Sequence, residues 1–201
     1  MKQLITGLNH EKLFCRIGYA YLAFFILLTG SYLIGYLFLP EGIMQHFPSP
    51  ALTFLEGNHS FSTLFFSTLG YNLFILMLII GMNLFRVKQF TFGYLPLYAN
   101  TVILGFFAGT NSFSGGVSSY SLEGWLMFAR IGFLEFSAYI LGCAATVGLV
   151  MFHSEKWRGE SFTRIRGWSQ LRLKRGEVGV LFIAVALLIM GAYNEWTMIG
   201  Q

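Results

Sequence analysis

Polar and apolar positions alternate on a coarse scale along this chain. Five long apolar blocks, at 17–39, 64–85, 90–108, 125–152 and 178–199, are separated by shorter polar stretches. Each block, coiled as a helix, is about long enough to cross a hydrocarbon core of roughly 30 Å. The pattern predicts an all-α fold: a polytopic transmembrane helical bundle of five spans, forming one integral membrane domain over 1–201. The first block follows Lys2, Lys12 and Arg16, as a signal peptide would. It is too long for an h-region and no small-x-small cleavage site follows it, so it reads as a retained span.

The few polar residues inside the blocks then carry most of the information. Asn72 and Asn83 are eleven residues apart, about three helical turns, and share a face of the second block. Asn100 and Asn111 repeat that spacing in the third, with Gly93 on the same face. Pro96 would kink that helix in mid-course and leave a carbonyl in need of a partner. Gly105 and Gly109 form a GxxxG, which permits close helix packing. The fourth block is about 42 Å long as a helix, so it must tilt or protrude. Gly132, Ala138, Gly142 and Thr146 fall on the same face as Glu135. Other helices approach small residues, so Glu135 is expected to point into protein rather than lipid. Arg130 lies about 140° around the helix from Glu135, which makes the two a poor ion pair. It starts roughly 7 Å from Trp125 and is close enough to snorkel to the outer headgroups.

Charge orients the bundle. Twelve of the thirteen Lys and Arg residues precede the first block, lie between the second and third, or lie between the fourth and fifth. By the positive-inside rule the N-terminus is then inside and the C-terminus outside, which an odd number of spans requires. The net charge of +4 is this topology signal and gives no reason to expect a nucleic acid partner. The loop at 153–177 concentrates Lys156, Arg158, Arg164, Arg166, Arg172, Lys174 and Arg175 among Trp157, Phe162, Ile165, Trp168 and Leu171. Such a segment is expected to face anionic headgroups of the bilayer or a cytoplasmic partner. On the outer side, a short interfacial helix is expected at 51–55.

At 55% hydrophobic and 11% charged, the chain has no room for a separate soluble domain. It contains no Asp, no HExxH, no GxSxG and no Walker lysine motif. "SFSGG" at 112–116 has no histidine placed to activate its serines. No catalytic residue and no enzymatic activity is expected. His46 and His59 fall outside and His10 and His153 inside, none within a span, and Cys15 and Cys143 are far apart. No haem, metal or other cofactor is expected on this donor set.

Depth along the helices brings Glu135, Asn72 and Asn100 toward one level, each roughly 12–15 Å from a membrane surface. Two readings stay open. The cluster is an interhelical clasp that fixes packing, or it lines a substrate or proton path. Arg130 is likewise a snorkelling anchor or a contact for a partner subunit or anionic substrate.

Three segments together resemble the stage II sporulation protein M family of small polytopic membrane proteins. "FSTLGYNLFILMLIIG" is similar to the family's Asn-bearing helix, with Asn72 in the Asn place. "FGYLPLYANTVILGFFAG" resembles its glycine-flanked helix, with Asn100-Thr101 where the family has Asn-Gly. "ARIGFLEFSAYILGCAATVGL" resembles its HGxxE helix; Gly132 and Glu135 match, and Ile131 takes the histidine's place. The resemblance spans roughly 60–152. It implies a subunit without chemistry of its own, working with partner membrane proteins in envelope and peptidoglycan remodelling during engulfment. Relatives beside ABC transporters imply the alternative, a membrane component of a bacteriocin or peptide export system. Either way the expected place is the bacterial cytoplasmic membrane, with other membrane proteins, and a further copy of the chain, as candidate partners.

Overall fold

The computed structural model describes residues 2–45, 61–113, 117–156 and 161–199. The expected interfacial helix at 51–55, His46, His59, Trp157, Arg158 and the end of the 112–116 stretch lie outside the described residues.

Helix α1 (Lys2–Leu8) leads into α2 (Leu13–Phe38), followed by α3 (Phe61–Met82), α4 (Tyr94–Gly109), α5 (Leu122–Arg130), α6 (Gly132–Thr146) and α7 (Arg175–Ile199). Among the described residues, four helical runs are long and apolar enough to cross a membrane: Leu13–Phe38, Phe61–Met82, Leu122–Leu149 and Arg175–Met198. The faces of α2 are arranged as lipid demands. On α2 the buried positions are Arg16, Ala20, Ala23, Phe24, Ser31 and Gly35, whereas Leu22, Phe25, Ile26, Leu33 and Leu37 are exposed. Phe24 apart, small and polar groups face inward and large apolar groups outward, the reverse of a soluble helix.

Three expectations are corrected. First, the fold is not purely helical. Strands β1 (Phe85–Val87), β2 (Phe90–Thr91), β3 (Phe152–Ser154) and β4 (Thr163–Arg164) form one sheet in the order β2-β1-β3-β4. The second and fourth apolar blocks stop being helix at Met82 and Leu149, and their last residues pair instead, β1 parallel to β3. Phe, Val and Thr suit such pairing. The apolar positions around Arg164 and Arg166 fit no helical stripe because this stretch is strand and turn.

Second, the third block makes a helix of only 16 residues, about 24 Å and short of a full hydrocarbon core. Pro96 falls in its first turn, where a missing N–H is harmless, rather than in mid-helix. The Phe92 carbonyl upstream accepts from the Leu95 amide at 2.9 Å.

Third, the fourth block is not one straight helix. It breaks at Ile131, where the Leu134 and Glu135 amides both donate to the Ile131 carbonyl. α5 before the break has no buried residue and carries Glu123 in its first turn and Arg130 in its last, each suited to its end of the helix dipole. α6 after the break is the hub, with ten consecutive or nearly consecutive positions from Phe136 to Thr146 buried.

The ends of the bundle are well defined. At the basic end, Arg16 near the start of α2 meets Glu177 near the start of α7 at 2.6 Å. At the same end the Tyr94 hydroxyl at the start of α4 donates to the Leu8 carbonyl of α1 at 2.8 Å. The sheet adds the ends of α3 and α6. At the opposite end, the Gly42 amide after α2 donates to Thr110 after α4 at 2.7 Å, and Phe61 of α3 stacks edge-on against Trp196 of α7 at 4.5 Å. α2, α4 and α7 therefore run one way, and α3 and α6 the other.

Candidate functional site

Several polar side chains of the apolar helices gather along a seam where α3 meets α6 and α7. Asn72 of α3 is buried and works at both ends of its amide. Nδ2 donates to Glu135 Oε1 at 2.5 Å, and Oδ1 accepts from the Tyr139 hydroxyl at 2.5 Å. Glu135 and Tyr139 are four residues apart on α6, so one amide spans one turn of the partner helix. The Glu135 side chain lies against Gly191 of α7, where an added Cβ would come within 3.3 Å of Glu135 Cγ. It is thus turned toward α3 and α7. One turn beyond Gly191, Glu195 hydrogen-bonds Thr68 of α3 and lies within electrostatic range of Glu135.

A second clasp closes the basic end of the same seam. Asn83 is fully buried, and its Nδ2 donates to Thr146 Oγ1 at 2.7 Å and to the Cys143 carbonyl at 3.0 Å. Thr146 in turn donates to Gly142 O of its own helix. Gly93 is required opposite: any Cβ there would overlap the Asn83 amide. The eleven-residue spacing of Asn72 and Asn83 was visible in the sequence, and both side chains do reach α6.

The other sequence candidates are placed as follows. Asn100 does not join Asn72 and Glu135; its Nδ2 donates to the Pro96 carbonyl of its own helix at 2.8 Å. The Arg130 side chain is exposed and, among the described residues, makes no ion pair. Its carbonyl, freed by the break at Ile131, accepts from Asn194 Nδ2 of α7 at 2.8 Å. Gly105 and Gly109 of α4 pack on Ser31 and Gly35 of α2. A Cβ on Gly105 would overlap Ser31 Oγ, one on Gly109 the Tyr32 carbonyl, and Gly35 itself faces the Gly109 backbone. Two small-xxx-small pairs on parallel helices thus meet backbone to backbone. Gly142 faces Leu76 of α3, Ala138 is fully buried, and Gly132 rests against Phe128 of the preceding helix. Lys156, Arg164, Arg166, Arg172, Lys174 and Arg175 are exposed at the basic end.

Sequence reasoning missed several partners, Tyr139 among them. Glu195 and Asn194 sit in the last turns of the final apolar run, where a polar residue reads as headgroup contact. Arg16 reads as a topology charge, yet only 6% of its side chain and 7% of that of Glu177 is exposed. Glu177 Oε2 also accepts from the Lys174 amide at 2.8 Å, the N3-to-N-cap half of a capping box. Among the described residues, no group of three or more His, Cys, Asp or Glu is placed to hold a metal.

No family model, curated protein or solved structure matches this chain.

Proposed function

We propose that the chain is a non-catalytic accessory subunit of a multi-component membrane machine, a bundle that holds partner proteins in the bacterial cytoplasmic membrane. The observation that carries this reading is the double use of the Asn72 amide on Glu135 and Tyr139. A polar group in an apolar helix whose donor and acceptor are both satisfied by a neighbouring helix is a packing device. In this reading the chain crosses five times, N-terminus inside and C-terminus outside. The parallel courses of α2, α4 and α7, and the basic residues around their starting ends, support that course. α4 then crosses as a short helix, shielded along α2 by its glycine face. The resemblance to the stage II sporulation protein M family favours envelope remodelling as the process served.

A second reading, a membrane component of an export system, is favoured by one specific feature. Glu195 brings a second carboxyl group beside Glu135, which a clasp made by Asn72 does not need.

Purification in mild detergent from the native membrane tests the choice. An accessory subunit brings down membrane partners at fixed stoichiometry, and Glu135→Gln reduces that yield several-fold while inserting normally. A chain that purifies alone, with Glu135→Gln indistinguishable from wild type, contradicts the reading. Substrate flux in proteoliposomes holding only this chain favours the export reading.

A further inference from the structure

We propose that Arg86 and Arg166 form a binding site for the phosphate of an anionic phospholipid at the basic end of the bundle. α6 finishes in a 3-10 turn, Val147–Leu149, and two consecutive carbonyls of that turn each receive an arginine. Arg86 of β1 donates from Nη2 to Val147 O at 3.2 Å, and Arg166 donates from Nη1 to Gly148 O at 2.9 Å. Two guanidinium groups from segments eighty residues apart in the chain are thereby set side by side. Burial, and next the charge of Arg166, hold the Arg86 guanidinium below its ordinary pKa, so the two cations are close enough to repel.

No carboxyl group relieves that repulsion among the described residues. Glu177 is taken by Arg16, and Glu155 by His153 at 3.0 Å. Arg86 spends Nε on Thr91 Oγ1 at 3.3 Å. Arg86 is only half-buried, and among the described residues its Nη1 has no protein acceptor. Unpaired guanidinium forks match phosphate oxygens in geometry and charge.

The surroundings select a lipid over a soluble phosphate. Arg164 and Arg166 alternate with apolar side chains that stay exposed, Phe162 at 37%, Ile165 at 51% and Trp168 at 68%. These belong at the level of the headgroups, where an aromatic body and a charged tip are both accommodated. The site does not depend on the accessory-subunit reading; it needs only that this end lie at a bilayer surface.

The test is lipid retention by the detergent-purified full chain, read by native mass spectrometry. Phosphatidylglycerol and phosphatidylcholine of matched chains are offered together. Wild type should retain phosphatidylglycerol about tenfold over phosphatidylcholine, Arg166→Gln should lose about fivefold of that preference, and Arg86→Gln/Arg166→Gln should bring it near parity. Arg172→Gln/Lys174→Gln, at exposed basic positions whose side chains donate to neither carbonyl of the turn, should keep the wild-type preference. Because Arg166 is exposed, its single variant reads the site without disturbing the fold. The proposal is overturned by parity in wild type, by an unchanged preference in Arg166→Gln, or by an equal loss in the Arg172/Lys174 variant. Displacement of the lipid by millimolar inorganic phosphate would assign the site to a soluble ligand and also overturn it.

Discussion

Arg16 and Glu177, separated by 161 positions in the chain, form a buried ion pair at 2.6 Å that ties the start of α2 to the start of α7. Removing one partner leaves a charge stranded away from water. Arg16→Gln and Glu177→Gln should each cost about 3–5 kcal/mol, whereas Arg16→Met/Glu177→Met should recover most of that loss. Chemical unfolding of the three variants in detergent reads the difference.

Asn83 has no exposed surface and supplies the only side-chain amide bonds between the end of α3 and the end of α6 among the described residues. Asn83→Ala should lower stability by about 1–3 kcal/mol, from the two amide hydrogen bonds lost to α6 and the cavity together. The same denaturation assay applies, and a loss under a few tenths of a kcal/mol would mean that the pocket refills with water or side chain.

Glycines divide into two groups that ought to respond oppositely to one methyl group. At Gly105 a Cβ meets Ser31 Oγ and comes within 2.8 Å of the Leu28 carbonyl, so Gly105→Ala should destabilise by about 1–3 kcal/mol. At Gly81 of α3 no described atom beyond the helix's own backbone lies within 4 Å of an added Cβ, and Gly81→Ala should be neutral or gain up to about 1 kcal/mol. Thermal melts of both, side by side, check the sign.

These residues also show how far the sequence could be read. Glu135 was legible as inward-facing because Gly132, Ala138 and Gly142 mark the face that neighbouring helices approach. The GxxxG at Gly105 and Gly109 announced a close contact, though its complement, Ser31-xxx-Gly35, was not singled out. Asn100 shows the limit of face arguments: an Asn four residues after Pro96 bonds its own helix as readily as another. The break at Ile131 has no local signal strong enough to stop a helix, since α5 and α6 continue one apolar run; the tertiary bond from Asn194 to the Arg130 carbonyl stabilises it. The sheet was invisible because its strands are two or three residues long and its parallel pair, β1 with β3, is distant in sequence.

Tyr139→Phe should remove one bond to Asn72 and leave the amide oxygen without that donor, at a cost of about 0.6–2 kcal/mol. Partner yield in mild detergent should fall less than in Glu135→Gln, since the Asn72–Glu135 bond survives. Equal losses in the two variants would show that the three side chains act only as a unit.

The claim on which the rest depends is that Glu135 serves to join helices. A double-mutant cycle on Asn72→Leu and Glu135→Leu, built on Tyr139→Phe so that no hydroxyl is left without its acceptor, tests it most directly, with unfolding free energy and partner yield measured on the same samples. If the pair is a clasp, each single variant strands a polar group, and the double variant, apolar on both sides, recovers most of the stability and the partner yield. Losses that simply add, with no partner recovered in the double variant, would mean that the carboxyl group acts on something other than Asn72 and would contradict the account.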